Sequence, residues 1–297
     1  MPKTILTSHS KPFIKWAGGK SQLLGKLVAN LPKKFTKYCE PFVGGGALLF
    51  HLLNDNNDIE EILINDSNPD LMLTYRVIQQ DVNKLIIALS KIQNEYFKKS
   101  EEERKKYFES IRTQFNNDAK TFDYSSYSDS YVNRAAIVVF LNRTCFNGLW
   151  RVRKSDGGFN TAFGKYANPI ICDRHNLELA SDKLQKVFIQ SGDFKNCASF
   201  IDNNTLVYLD PPYIPTSETS NFVGYEKAGW GLFDNLKLSE FIKAQHHKQA
   251  KILLSSSDTS FWDDLGFMQK AEVAAKRNVA CKVTSRGGVK ELILWNY

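Results

Sequence analysis

Residues 207–213 of this 297-residue chain read VYLDPPY. Val207, Tyr208 and Leu209 have the character of a buried strand. Pro211 and Pro212 then end it, because neither donates a backbone hydrogen bond and both hold φ near one value. The turn presents the Asp210 carboxylate, the Pro211 carbonyl and the Tyr213 ring together. An exocyclic amino group on a nucleobase is a poor nucleophile, since its lone pair is spread into the ring. Two acceptors that hold its two N–H bonds localise that lone pair as attack begins. Asp210 and the Pro211 carbonyl are such a pair, and Pro212 stiffens the backbone that carries them; preorganised dipoles of this kind favour a transition state. Tyr213 is suited to stack on a base turned out of a duplex. A sulfonium suits the methyl donor, because its positive charge is lost as the methyl departs. The plainer alternative is a strand-ending turn with a capping Asp and a packed Tyr.

A second turn sits upstream in EPFVGGG, residues 40–46. Glycine permits positive φ and lets a ligand approach the backbone, and the helix expected behind it offers unpaired N–H groups and a positive dipole end. Asp66 closes the run EILIND, 20 residues after Gly46. An acid at about that distance binds ribose hydroxyls in nucleotide-binding α/β folds. The pair points to an adenosine-containing cofactor. Gly44 and Gly46 match a GxGxxG fingerprint, but its third glycine position is Leu49, which argues against NAD(P) and leaves other adenosine cofactors.

These turns must be carried by a parallel sheet. Runs at 37–43, 61–66, 186–190, 205–210, 250–258 and 290–297 read as strands, and GGGALLFHLLN reads as a helix entered directly from a glycine turn. Strand, turn, helix, strand is a βαβ pattern. In such sheets ligands bind beyond the carboxyl ends of the strands, so Asp210 and the glycine turn are expected to share one crevice. Residues 76–166 differ. They have apolar residues at helical spacing, then a stretch, GLWRVRKSDGGFNTAFGKY, with Asp156-Gly157-Gly158 as a hairpin turn signal. The expected organisation is a discontinuous catalytic domain, 1–75 and 167–297, split by a mainly helical insertion at 76–166.

The formal charge is +7, and residues 76–165 carry 16 Lys/Arg against 10 Asp/Glu. Most of the excess is therefore in the insertion, where a basic surface attracts polyanions. A solvated face is the bland reading of such a run. No apolar run approaches the ~18 residues of a membrane span, and the N-terminus has no apolar signal region. The five cysteines are scattered without a CxxC, Cys281 among them, so neither a disulfide framework nor a structural zinc is expected. A cytoplasmic setting follows from that reading.

KPFIKWAGGK (11–20), EPFVGGG (40–46), NRTCFNGLWR…FNTAFGKY (142–166) and DPPY (210–213) together resemble the Dam-type DNA adenine-N6 methyltransferases, in which the glycine motif precedes DPPY. The resemblance runs from about residue 11 to the C-terminus. It implies a Rossmann-like α/β fold, S-adenosyl-L-methionine as methyl donor with S-adenosyl-L-homocysteine as product, no metal, and double-stranded DNA as substrate. It places Trp16, Lys20, Phe42, Gly44, Gly46, Asp66, Asp193 and Asp210 at the cofactor, and the Asp210–Tyr213 turn at the target base. Lys15, Asn147, Leu149, Arg151, Lys165 and Tyr166 fall at DNA-facing positions. Among them Arg151 suits bidentate contact with a guanine and Leu149 a thymine methyl. Arg143, Arg153, Lys154 and Lys165 read as phosphate contacts or solvated charges.

Three departures stand out: Ala162 where GATC readers carry a proline, a hairpin about one residue longer, and SSSD (255–258) where many relatives have SNHD. The first two leave the site open between GATC and a related sequence such as GATATC. A monomer is adequate for one adenine per visit, and a restriction endonuclease acting on the same site is a possible partner. The alternatives are the same fold acting on cytosine N4, RNA or a protein amide, and a silent DNA-binding homologue. Asp210 argues against cytosine and amide chemistry, whose enzymes carry SPPY and NPPY, and the intact motifs argue against silence.

Overall fold

The computed structural model describes residues 8–16, 18, 20–55, 58–213, 230–257, 260–276 and 288–297. Ala17 and Gly19 of KWAGGK, Asp258 of SSSD and Cys281 lie outside the described residues. Among the described residues seven strands form one sheet: β1 (Lys37–Glu40), β2 (Glu61–Asp66), β3 (Val187–Ser191), β4 (Thr205–Leu209), β5 (Lys251–Ser257), β6 (Gln269–Lys276) and β7 (Gly288–Trp295). Their order is β3-β2-β1-β4-β5-β7-β6. The first five are parallel, and β7 runs antiparallel between β5 and β6. The chain winds outward from β1 to β3, then returns to β4 on the other flank of β1. That reversal opens a crevice between the carboxyl ends of β1 and β4.

Strands buried on both faces read as continuous apolar runs, and β4, TLVYL, is buried at all five positions. Successive side chains point to opposite faces. Tyr38, Ile62, Leu206, Tyr208 and Leu253 therefore join the core on one face. Cys39, Leu63, Val207, Leu209 and Leu254 join the core on the other, under α7 (Leu232–His247). The first core also takes in α2 (Ala47–Asp55), α3 (Pro69–Phe97) and α6 (Arg174–Leu184), with α1 (Leu24–Ala29) alongside.

β6, QKAEVAAK, is not among the runs expected as strands: its Ala, Lys and Glu are weak strand formers, yet it is an edge strand of the sheet. Every residue from Gln269 to Lys276 pairs with β7. Partner pairing overrides local preference at an edge, where strand propensity is weakest as a guide.

Residues 76–166, expected as an insertion, hold most of α3 together with α4 (Glu101–Asp118) and α5 (Ser130–Thr144). Asn68 caps α3 by accepting from the Leu71 N–H, with Pro69 at the first turn. The boundary drawn at 75/76 falls inside this helix, whose backbone leaves helical geometry at Asp81 instead. Ser100 and Glu103 form a reciprocal capping box on α4. α5 is buried nearly all round, as a central helix must be. Phe108, Phe115 and Phe140 belong to the same apolar core as Tyr75 and Leu49, so α4 and α5 are packed into the core on that face of the sheet. Among the described residues no helix is long and apolar enough to cross a membrane.

Candidate active site

The carboxyl ends of the parallel strands bring the motif residues together. Pro41 ends β1 and the chain turns through Gly44 (φ +48°) and Gly46 (φ +72°), with the Gly46 N–H donating to the Val43 carbonyl at 2.7 Å. Both positions are left-handed and crowded. A Cβ on Gly44 would lie 2.8 Å from the Trp16 ring, and one on Gly46 would lie 2.7 Å from the Tyr75 hydroxyl. That hydroxyl donates to the Gly44 carbonyl at 3.1 Å. Asp66, at the end of β2, holds the turn from the other side. Its Oδ2 accepts from the Gly44 N–H at 3.1 Å and its Oδ1 from the Asn68 N–H at 2.9 Å.

Beside this turn, Phe42 packs against Phe194 with centroids 5.3 Å apart and edge-on to Trp230 at 5.5 Å. Asp193, exposed after β3, accepts from the Lys195 N–H at 2.9 Å. The donor set fits an adenosine-bearing cofactor: a half-exposed carboxylate at Asp66, a glycine turn without Cβ atoms, and an aromatic wall ending at Asp193. Among the described residues no cluster of three His, Cys, Asp or Glu side chains could hold a metal ion.

On the other side of the crevice, Asp210 follows β4. Its Oδ1 lies 2.7 Å from Lys20 Nζ and accepts from Ser255 Oγ at 2.9 Å. Lys20 is only 6% exposed and Asp210 18%. Lys20 also donates to the Gly18 carbonyl at 2.9 Å and lies 4.8 Å from the Tyr213 ring centroid. A buried ammonium needs such partners. Lys20, read from sequence as a cofactor contact, is here the cation paired with the Asp210 carboxylate. The Tyr213 hydroxyl donates to Glu291 Oε2 on β7 at 3.2 Å. Burial, with Asp210 and Glu291 nearby, pushes the Tyr213 phenol far up, so it stays neutral. Burial likewise raises the Glu40 carboxyl well above the usual carboxylate range; a hydrogen bond from Tyr38 opposes this, while the negative charges of Asp210 and Asp66 add to it.

α5 and the hairpin after it approach the same edge through the N-terminal segment. Asn142 on α5 clamps it: the Lys15 N–H donates to Asn142 Oδ1 at 2.9 Å, and Asn142 Nδ2 donates to the Lys15 carbonyl at 2.6 Å and the Gly148 carbonyl at 3.1 Å. Asn54 and Asn176 hold Ser10 and Lys11 in the same two-way manner. Trp16 stacks on Trp150 of the hairpin. Sequence reading missed these three asparagines, and no local spacing marks them.

The hairpin closes through the antiparallel pairs Cys145–Phe163 and Val152–Phe159. Asn147 and Lys165 are exposed, both with left-handed backbone, and the Asn147 N–H donates to the Tyr166 hydroxyl at 2.8 Å. Lys15 lies over the Tyr166 ring at 5.3 Å. Arg151 is half-exposed. Two readings, Leu149 and Arg143, need correction. Leu149 is buried, 4% exposed, and its carbonyl accepts from Thr161 and Cys145, so it offers no face to a base. Arg143 donates to the Phe13 carbonyl at 2.7 Å, holding the N-terminal segment in place of a phosphate contact. Arg153 grips Asp156 through two nitrogens. Phe146, 51% exposed beside Asn147, was overlooked; an aromatic next to Asn-Gly in a basic loop is the signal that would have found it.

Sheet order, glycine turn and acidic strand ends define a Rossmann-like methyltransferase domain. The chain matches the D12 class N6 adenine-specific DNA methyltransferase family over residues 16–277 and belongs to it. It is 42% identical to the type II methyltransferase M.MjaIII of Methanocaldococcus jannaschii, over 97% of this chain and 99% of that protein. It is 34% identical to the type II methyltransferase M1.LlaDCHI of Lactococcus lactis subsp. cremoris, covering 97% and 95%. A DNA adenine methylase of Haemophilus influenzae is 32% identical, covering 95% and 92%.

Proposed function

We propose that the chain methylates N6 of an adenine turned out of duplex DNA, within GATC or a GATATC-like site, acting as a monomer at the nucleoid in the cytoplasm. The observation that carries this reading is Asp210, fixed beside Tyr213 at the crevice that also holds the glycine turn and Asp66. S-adenosyl-L-methionine, when bound, supplies a methyl group on a sulfonium and leaves as S-adenosyl-L-homocysteine. Asp66 takes its ribose, with Phe42 and Asp193 beside its adenine and Trp16 and Gly44 against the rest. Asp210 and the Pro211 carbonyl accept hydrogen bonds from the two N–H groups of the target amino group, one of which is retained while the other proton is lost as the nitrogen gains the methyl; Pro212 holds their spacing, and Tyr213 stacks on the base.

On the DNA side, Arg151 contacts a guanine edge while Lys15, Lys165 and Tyr166 hold the strand near it. Asn147 faces the opened base pair, and exposed Phe146 wedges into the stack. The type II methyltransferases among the relatives support a restriction-modification setting, with an endonuclease of the same specificity acting separately.

The test is to treat unmethylated DNA with the protein and labelled S-adenosyl-L-methionine, then map the modified bases. N6-methyladenine at GATC-like sites is expected. Asp210→Ala is expected to lower transfer at least ~100-fold, as loss of a preorganised acceptor does, with DNA binding kept. Label on cytosine, or full activity of Asp210→Ala, would overturn the reading.

A further inference from the structure

Every hydrogen bond and ion pair on the Asp210 carboxylate, among the described residues, falls on Oδ1. One donor, Lys20, is a cation. The other, Ser255 Oγ, is fully buried on β5. The β4–β5 register pairs Leu209 with Leu254, and one step further it sets Ser255 opposite Asp210. Tyr208 lies two residues before Asp210, and alternation along a strand turns the two side chains to the same face. Its hydroxyl lies 3.0 Å from Ser255 Oγ. A serine hydroxyl has one hydrogen to give. Ser255 gives it to Asp210, so the Tyr208 phenol must donate to Ser255. Burial raises that phenol well above its ordinary value, with Asp210 adding to it, so the hydrogen stays in place.

We propose that Tyr208 and Ser255 are positioning residues for methyl transfer: a buried hydroxyl relay that, with Lys20, pins Asp210 by Oδ1 and turns Oδ2 toward the target amino group. The proposal rests on the reading of Asp210 as the amino-group acceptor. A carboxylate held by neither donor rotates about its Cβ–Cγ bond and presents either oxygen. Held through one oxygen, it presents the other in a single orientation, which is the condition for placing a reacting nitrogen within tenths of an ångström. Neither residue touches substrate, so their loss acts on the rate of the chemical step and spares binding.

The experiment compares Ser255→Ala, Ser255→Thr, Tyr208→Phe, the Ser255→Ala/Tyr208→Phe double variant and Asp210→Ala in the full chain. It uses single-turnover methyl transfer, KM for S-adenosyl-L-methionine and DNA Kd. Ser255→Ala is expected to slow transfer about 10- to 100-fold, the strength of one hydrogen bond to a charged group, with KM and Kd within about twofold. Tyr208→Phe is expected to slow it about 3- to 10-fold, as a neutral bond would. Ser255→Thr should recover most of the rate, and the double variant should be no slower than Ser255→Ala, because a relay broken at one link has nothing further to lose. Wild-type rates, additive losses, or a loss confined to KM would overturn the relay while Asp210→Ala remains inactive. An active Asp210→Ala would overturn the acceptor reading itself. Should Ser255→Ala fail to fold, Tyr208→Phe decides, since it removes one hydroxyl and keeps the ring.

Discussion

At the sheet edge around Asp210, polar side chains bond mainly to other side chains; in the hairpin after α5, the chain is held mainly by its own backbone. Asp210 is tied to Lys20 and Ser255, Ser255 to Tyr208, Tyr213 to Glu291, and Tyr38 to Glu40. In the hairpin the Phe146 N–H reaches the Ala162 carbonyl, Asn160 reaches Arg151, and Arg153 reaches Gly158, all main chain to main chain. Its polar side chains are mostly left at the surface, and Asn147 and Lys165 sit in left-handed backbone where the chain enters and leaves it. The difference follows from what each region must do. Chemistry requires reacting atoms held to a fraction of an ångström. Reading a duplex requires side chains that can settle onto base edges after contact. Asn142 joins the two regimes: it clamps the backbone of Lys15, whose neighbour Trp16 lies against Gly44.

The comparison would be broken most severely by disturbing the brace beneath both regions. Arg134 on α5 pairs with Asp70, four residues after Asp66, and its guanidinium lies over the Phe115 and Phe122 rings. Tyr124 also donates to Asp70, at 2.8 Å. Arg134 is 3% exposed and Asp70 13%. Arg134→Met leaves a carboxylate without its cation in a mostly buried site, which costs about 3–5 kcal/mol. A fall of that size in denaturant-derived stability is expected. A change below about 1 kcal/mol would mean that α5 is not braced on α3 through this pair.

A smaller effect, confined to the hairpin, is expected of Arg151→Ala. Loss of a bidentate guanine contact costs about 1–3 kcal/mol at one base position and relaxes specificity there. Binding to substrates varied one base pair at a time measures it. Equal weakening on every sequence would make Arg151 a phosphate contact, and the hairpin would then position without reading. The chemical step at the sheet edge should be unchanged when the enzyme is saturated with DNA.

How much of this was legible depends on whether a residue's role is fixed by its neighbours in sequence or in space. DPPY and the GGG turn were readable because prolines and glycines constrain their own backbone, and the parallel strands because burial on both faces leaves continuous apolar runs. Ser255 lies in a run of three serines, and only the β4–β5 register sets it against Asp210. Asn54, Asn142 and Asn176 clamp a segment up to 165 residues away, which no local pattern announces. Leu149 misled because the family resemblance placed it at a DNA-facing position, whereas its side chain is buried and its carbonyl is held by Thr161. β6 was hidden by a composition that only its pairing with β7 overrides.

The finest distinction lies within the hairpin, between Lys165 and Arg153. Each carries one positive charge, but Arg153 is bound to Asp156, Nε to Oδ1 at 2.9 Å and Nη2 to Oδ2 at 2.8 Å, so the pair is neutral as a unit. Each phosphate neutralised contributes about 0.9 to the slope of log affinity against log salt, through released counterions. Lys165→Ala is therefore expected to reduce that slope by about one unit. Arg153→Ala alone is ambiguous, because it uncovers Asp156 and adds repulsion whether or not Arg153 meets DNA. The double change Arg153→Ala/Asp156→Ala removes both charges and resolves it. If the pair is only a clasp across the turn, the double variant keeps the wild-type salt slope. If Arg153 holds a phosphate, it loses about one unit, as Lys165→Ala does, and the guanidinium must then exchange Asp156 for the backbone on binding.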